Sequence, residues 1–184
     1  MSLVNTRTGY GWAAIVLHWI SAVGVIVLYL TGEQMEEAAN RTAELAARAQ
    51  HVSIGLLLFT FLLARLLWSA SQVRPDALET RRPFRFIAEA VQFLFLAMIA
   101  IQILSGPLVI WSNARPLEVF DWFAIASPFP AKVEWLHEGA ETVHKLTANL
   151  FWPLLGLHVL GALKHLIVDR DATLRRMLWV KREA

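Results

Sequence analysis

Six histidines, at positions 18, 51, 137, 144, 158 and 165, stand in a chain that has no cysteine. Without thiols there is no disulfide, no iron–sulfur ligation and no C-x-x-C-H attachment, so imidazole must carry any tight metal chemistry. The segment HKLTANLFWPLLGLH opens on His144 and closes on His158, with Lys145 as its one charge. Fourteen residues of helix return to within about 40° of the starting direction and rise roughly 21 Å. Imidazoles that far apart on one face cannot share a metal ion. They are spaced for two separate sites stacked along one helix.

The elements that must position them are read from composition. The chain of 184 residues is 57% hydrophobic, and its mean hydropathy of +0.48 exceeds that of soluble domains. Four apolar blocks, at about 11–31, 51–70, 88–111 and 146–168, have the length a hydrocarbon core requires. The expected fold is all-α, an integral membrane four-helix up-down bundle, with residues 1–184 forming one transmembrane domain. The first block is too long for a signal-peptide core and lacks a small-x-small cleavage site, so it reads as a retained helix.

With four spans, both termini and the 71–87 connection share one side, which carries eleven Lys and Arg residues. The opposite side carries four, Arg41, Arg48, Arg115 and Lys132, among many carboxylates. This asymmetry places the termini inside. The formal charge of +2 gathers at membrane boundaries and forms no stripe for nucleic acid. The tail DRDATLRRMLWVKREA suits either a short helix on the inner surface or a solvated extension.

Depth then sorts the histidines, since ionisable groups within a bilayer need a functional or pairing partner. His18 in IVLHWIS lies towards the inner face, and His51 in RAQHVSIGLLL towards the outer. The fourth helix runs inward, so His144 is outer and His158 inner. His51 matches His144 in depth, and His18 matches His158, each pair drawn from two helices. Arg65 follows His51 by the spacing that separates His144 from His158. It therefore lies at the inner pair, where it either pairs with a carboxylate of a bound group or snorkels to head groups. His137 in WLHEGAE reads as a solvated loop or helix-start residue, and His165 as interfacial, within reach of a propionate or quinone, or as a substitute for His158. Pro153 is placed to bend the fourth helix. Ser53, Gly55, Gly156 and Gly161 would admit a close neighbour. Glu89, Gln92 and Gln102 on the third helix carry no assigned role.

A di-iron carboxylate bundle needs inward Glu-x-x-His pairs that these helices lack, and zinc needs more close ligands. Facing imidazoles suit bis-imidazole haem, whose filled axial positions favour outer-sphere electron transfer. Haem-free alternatives are a histidine bundle relaying protons or one binding a transported metal.

The segments LHWISA, HVSIGLLL…ARLLW, VHKLTANLFWPLLGLHVLGALKH and DATLRRML together resemble the bacterial di-haem cytochrome b561 family over almost the whole chain. The resemblance implies two non-covalent b haems, His18 and His158 holding the inner and His51 and His144 the outer, with electrons exchanged with the membrane quinone pool. It implies an oxidoreductase or electron carrier, superoxide being one conceivable donor, or else a haem-bearing anchor that wires a separate dehydrogenase. Its partners would be the lipid bilayer, a quinone, a periplasmic redox partner and, as is common for small bundles, a second copy of the chain. The third helix, around RFIAEAVQF, departs from the histidine-bearing version of some members.

Overall fold

The computed structural model describes residues 2–79 and 81–178. Four helical segments are long and apolar enough to cross a membrane: α1 (Trp12–Glu36), α2 (Arg41–Ser71), α3 (Arg82–Trp111) and a fourth over Glu134–Asp169. The fourth is divided into α4 (Glu134–Asn149), α5 (Phe151–Lys164) and a π-helical turn at His165–Asp169, and α6 (Thr173–Leu178) follows. The protein is thus a multi-pass, mostly helical membrane protein. Lipid-facing side chains such as Val23, Leu67, Phe93, Leu104 and Leu160 are exposed because hydrocarbon, not protein, is their solvent.

Helices outrun the apolar blocks because backbone hydrogen bonding does not stop where hydropathy does. α2 starts at Arg41, ahead of the apolar block that opens at about 51, with the Asn40 side chain accepting from the Ala43 amide as its cap. α3 starts at Arg82 with proline in its first turn, where the missing N–H costs nothing. α4 begins at Glu134, well before the expected 146, through the charged stretch EWLHEGAETVHK. The fourth span breaks at Leu150, three residues before Pro153, whose missing amide and ring deny the preceding turn a regular bond.

α1 packs chiefly on α2, and α3 on α4, so the bundle is two helical hairpins joined through α2–α3 and α3–α5. Leu62, Ile99 and Ile103 form a small core where these meet, lined by Val25, Leu58, Phe59 and Leu66. The connection from α3 to α4 holds a feature that the helical reading did not anticipate, an antiparallel hairpin of β1 (Leu117–Val119) and β2 (Phe123–Ile125). Val119 is fully buried, and Ser53 Oγ, on α2, accepts from the Phe120 amide at 2.8 Å and donates to the Glu118 carbonyl at 3.3 Å. This loop side is opposite the terminal side, where the segments around Asn5, Gln72–Asp76 and Arg176 meet.

On the terminal side, Asn5 donates to the Gln72 side chain and the Val73 carbonyl, and Arg176 to the Asp76 carbonyl. Glu79 receives Lys164 at 2.6 Å and Arg81 at 3.2 Å, while Asp169 receives Arg81 at 3.1 Å and Lys164 as well. Arg81 and Lys164 both lie over the Phe84 ring. Of the two readings of the tail, the short helix is present at Thr173–Leu178; residues 179–184 lie outside the described residues.

Candidate functional site

Four of the histidines, from the first, second and fourth spans, come together in two cross-hairpin pairs. The rings of His51 (α2) and His144 (α4) have centres 6.2 Å apart with planes at 83°. Those of His18 (α1) and His158 (α5) are likewise 6.2 Å apart, at 53°. The first is the loop-side pair and the second the terminal-side pair.

The loop-side imidazoles are held by hydroxyl groups on the neighbouring helix of each hairpin. Thr31 Oγ1 donates to the Leu28 carbonyl and lies 3.0 Å from His51 Nδ1. Ser105 Oγ donates to the Ile101 carbonyl and lies 2.9 Å from His144 Nδ1. A hydroxyl that gives its one proton to its own helix has a lone pair left to accept from Nδ1–H. In that tautomer both rings present the lone pair of Nε2. That is how a metal-ligating histidine is normally oriented by its surroundings.

Glycine completes each support. A Cβ on Gly106 would stand 3.3 Å from His144 Cε1, tighter than most real contacts, and one on Gly32 would lie 3.7 Å from His51 Cε1. Gln102 also braces this pair, its Nε2 donating to the His144 carbonyl at 3.2 Å. None of Thr31, Gly32, Ser105 and Gly106 was singled out from sequence. A signal existed: YLTGEQ and ILSGPL each place a hydroxyl residue directly before a glycine in an apolar helix.

The terminal-side pair has a charged neighbour instead. Arg65 Nη2 lies 3.2 Å from His18 Nδ1, so the guanidinium turns to the histidine pair. Its Nε is buried and has no partner among the described residues. Trp19, next to His18, donates its indole N–H to the Met177 carbonyl and so ties α6 to this end of α1. Phe95 sets its edge against His158, with centres 5.3 Å apart. Between the two levels Phe95, Phe151 and Tyr29 follow one another at 6.1 Å spacings.

The remaining residues that the sequence brought forward stand elsewhere. Among the described residues, one group of three could gather round an ion: His165, Asp169 and Asp171. Asp169 already receives Lys164 and Arg81, and His165 Nδ1 lies 2.7 Å from Asp171, so a cation there would displace two positive charges. His137 is a helix-start residue as expected, but it is not solvated. Its side chain is 17% exposed, with Nδ1 3.0 Å from the Val109 carbonyl at the end of α3. Lys145, beside His144, is paired with Glu141 and Glu36 at 3.2 and 3.5 Å. Glu89 pairs with Arg85 on its own helix. Gly55 would set a Cβ 3.6 Å from Leu28, whereas no described atom lies within 4 Å of one on Gly156 or Gly161, so no neighbouring helix makes a close approach at those two.

The comparisons agree with this architecture. A family model described as prokaryotic cytochrome b561 matches residues 9–179. The chain is 31% identical to cytochrome b561 homolog 2 of Escherichia coli K12 over 188 residues, covering 97% of this chain and 95% of the relative. It is 26% identical over 178 residues to a probable superoxide oxidase, CybB, of Yersinia pestis, covering 94% and 97%. Four apolar spans and a family match along nearly their whole length place this chain in the prokaryotic cytochrome b561 family of electron-transport membrane proteins.

Proposed function

We propose that the chain is a two-haem b-type cytochrome that carries single electrons across the inner membrane, between a redox partner on the periplasmic, loop side and quinone. The observation that carries this is the equal spacing of two histidine pairs at two depths. Two imidazoles that held one metal ion between them at about 2.0 Å, with about 1.1 Å from nitrogen to ring centre, would stand about 6.2 Å apart. Both pairs stand at 6.2 Å. Each pair would supply two protein ligands, fewer than a cluster of His and carboxylates would.

Haem bound by His51 with His144, and by His18 with His158, would supply two one-electron centres without a coordination position for substrate. The chain's own residues do the rest. Thr31 and Ser105 hold the Nδ1 protons and aim the Nε2 lone pairs. Phe95, Phe151 and Tyr29 fill the space between the two levels with apolar rings and exclude water. Arg65 offers a guanidinium to a carboxylate at the terminal-side pair.

The basic terminal side supports cytoplasmic termini. On the loop side, Lys145 is neutralised by Glu141 and Glu36. The carboxylates there favour a neutral or cationic partner over an anion such as superoxide. Purified protein should contain two haems per chain, with b-type bands in the reduced-minus-oxidised spectrum. A haem-free preparation after growth with ample haem would end this reading. Reconstituted alone, the protein should reduce or oxidise a quinone analogue; inertness until a dehydrogenase is added would make it a wiring subunit.

A further inference from the structure

We infer that the two sites fill in a fixed order, loop side first, and that Arg65 is the latch that sets it. The inference rests on the two-haem reading. Its ground is a difference between two sets of hydrogen bonds. At the loop side, the Thr31 and Ser105 hydroxyls can give their protons to their own helices and accept from Nδ1–H, so both rings can present Nε2 lone pairs to an incoming metal without a partner leaving. At the terminal side, the bond has one direction only. A guanidinium can only donate, so His18 Nδ1 accepts from Arg65 Nη2, and the proton of the neutral ring is on Nε2. His18 must move that proton to Nδ1 before Nε2 can ligate, and an N–H at Nδ1 cannot face Arg65. Arg65 therefore has to leave first.

The ligand itself brings the means. Haem carries two propionates, and the Arg65 guanidinium, with its buried Nε unpartnered among the described residues, is a better match for a carboxylate than for one imidazole nitrogen. Arg65 thus resists entry and then holds the occupant. His158 has no side-chain hydrogen bond among the described residues, so nothing on its side offsets the latch.

The ring planes provide a label for each site. Axial imidazoles near perpendicular give low-spin ferric haem a larger maximum g value than imidazoles closer to parallel, so the 83° and 53° pairs should be separable by electron paramagnetic resonance. His144→Ala and His158→Ala assign the signals. Full-length protein from haem-limited cells would receive hemin in steps of half an equivalent. The first equivalent should enter the His144-dependent site in about ten-fold excess over the other.

In Arg65→Gln, whose side chain can accept from Nδ1–H, hemin should enter the His158-dependent site several-fold faster. It should then pass to apomyoglobin about ten-fold faster, as expected for loss of an orienting contact to the bound group. Loop-side rates should not move. Arg65→Leu provides the same split if the glutamine variant does not fold, and the wild-type order needs no variant at Arg65. Signals that grow together, terminal-side filling first, or slower entry in both Arg65 variants would overturn the latch. Absence of low-spin haem in every protein would instead overturn the reading on which it rests.

Discussion

The two histidine pairs have the same spacing and opposite surroundings. The loop-side pair is held by neutral groups one helix away, a hydroxyl and a glycine on α1 for His51 and the same two on α3 for His144. Each helical hairpin builds its own half. The terminal-side pair is surrounded by long-range ties instead: Arg65 from α2 on His18, α6 on Trp19, and the ion network joining the 72–81 connection to α5. Short neutral contacts fix a ring's orientation at little desolvation cost. A charged neighbour fixes less but can change partner, so the two ends differ in adaptability rather than in metal-binding groups.

The largest test separates the pairs outright. His144→Ala should remove the loop-side haem and spare the other, and His158→Ala the reverse, read as haem per chain. Two haems remaining in either variant would break the pairing. Next in size is the loss of the supports. Thr31→Val with Ser105→Ala leaves both Nδ1–H groups without acceptors and should weaken the loop-side haem by about 10- to 100-fold, with the terminal-side haem unchanged. Gly106→Ala should act on the same site through the 3.3 Å contact to His144. An equal loss at both sites would mean that the hydroxyls serve the bundle as a whole.

This contrast also explains what the sequence made legible. The spans and the depth of each histidine follow from a fixed rise per residue and from the apolar length a bilayer demands, so the levels of His18, His51, Arg65, His144 and His158 could be set one against another. Pro153 announced the break at Leu150 by its chemistry. Rotational phase was harder. Whether Thr31 and Ser105 turn towards a neighbour or towards lipid depends on how the hairpins pack, and only the recurrence of hydroxyl before glycine hinted at it. The β1–β2 hairpin rests on a bond from residue 53 to residues near 120. The tie between Glu79 and Lys164 spans 85 residues. No local pattern encodes either.

That tie offers a third test, confined to the terminal side. Lys164 and then Arg81 draw the Glu79 carboxyl down from its ordinary 4.5 to about 2. A depressed carboxyl stabilises the fold above its unfolded value and loses that contribution as pH falls through the folded one. The thermal-unfolding advantage of wild type over Glu79→Gln should therefore be constant from pH 8 to about pH 4.5 and decline only below, towards pH 2. The variant should loosen the terminal-side haem alone. A titration of this advantage near neutral pH would show that another group carries the tie.

The smallest effect is expected at the hairpin over the loop-side site. Ser53 is 1% exposed, and its hydroxyl both receives the Phe120 amide and donates to the Glu118 carbonyl. Phe120 has φ of +46°, a left-handed conformation that an aromatic residue keeps only when its surroundings impose it. Ser53→Ala removes both bonds and should cost about 1 kcal/mol net, with the Phe120 amide exchanging hydrogen faster. Buried Leu117 and Val119 should keep the strands in place, so the His51–His144 pair would lose little haem affinity. If Phe120 exchange is unchanged, burial of those two side chains alone holds the turn. If the terminal-side haem responds as much as the loop-side one, the two ends are not independent and the contrast between them fails.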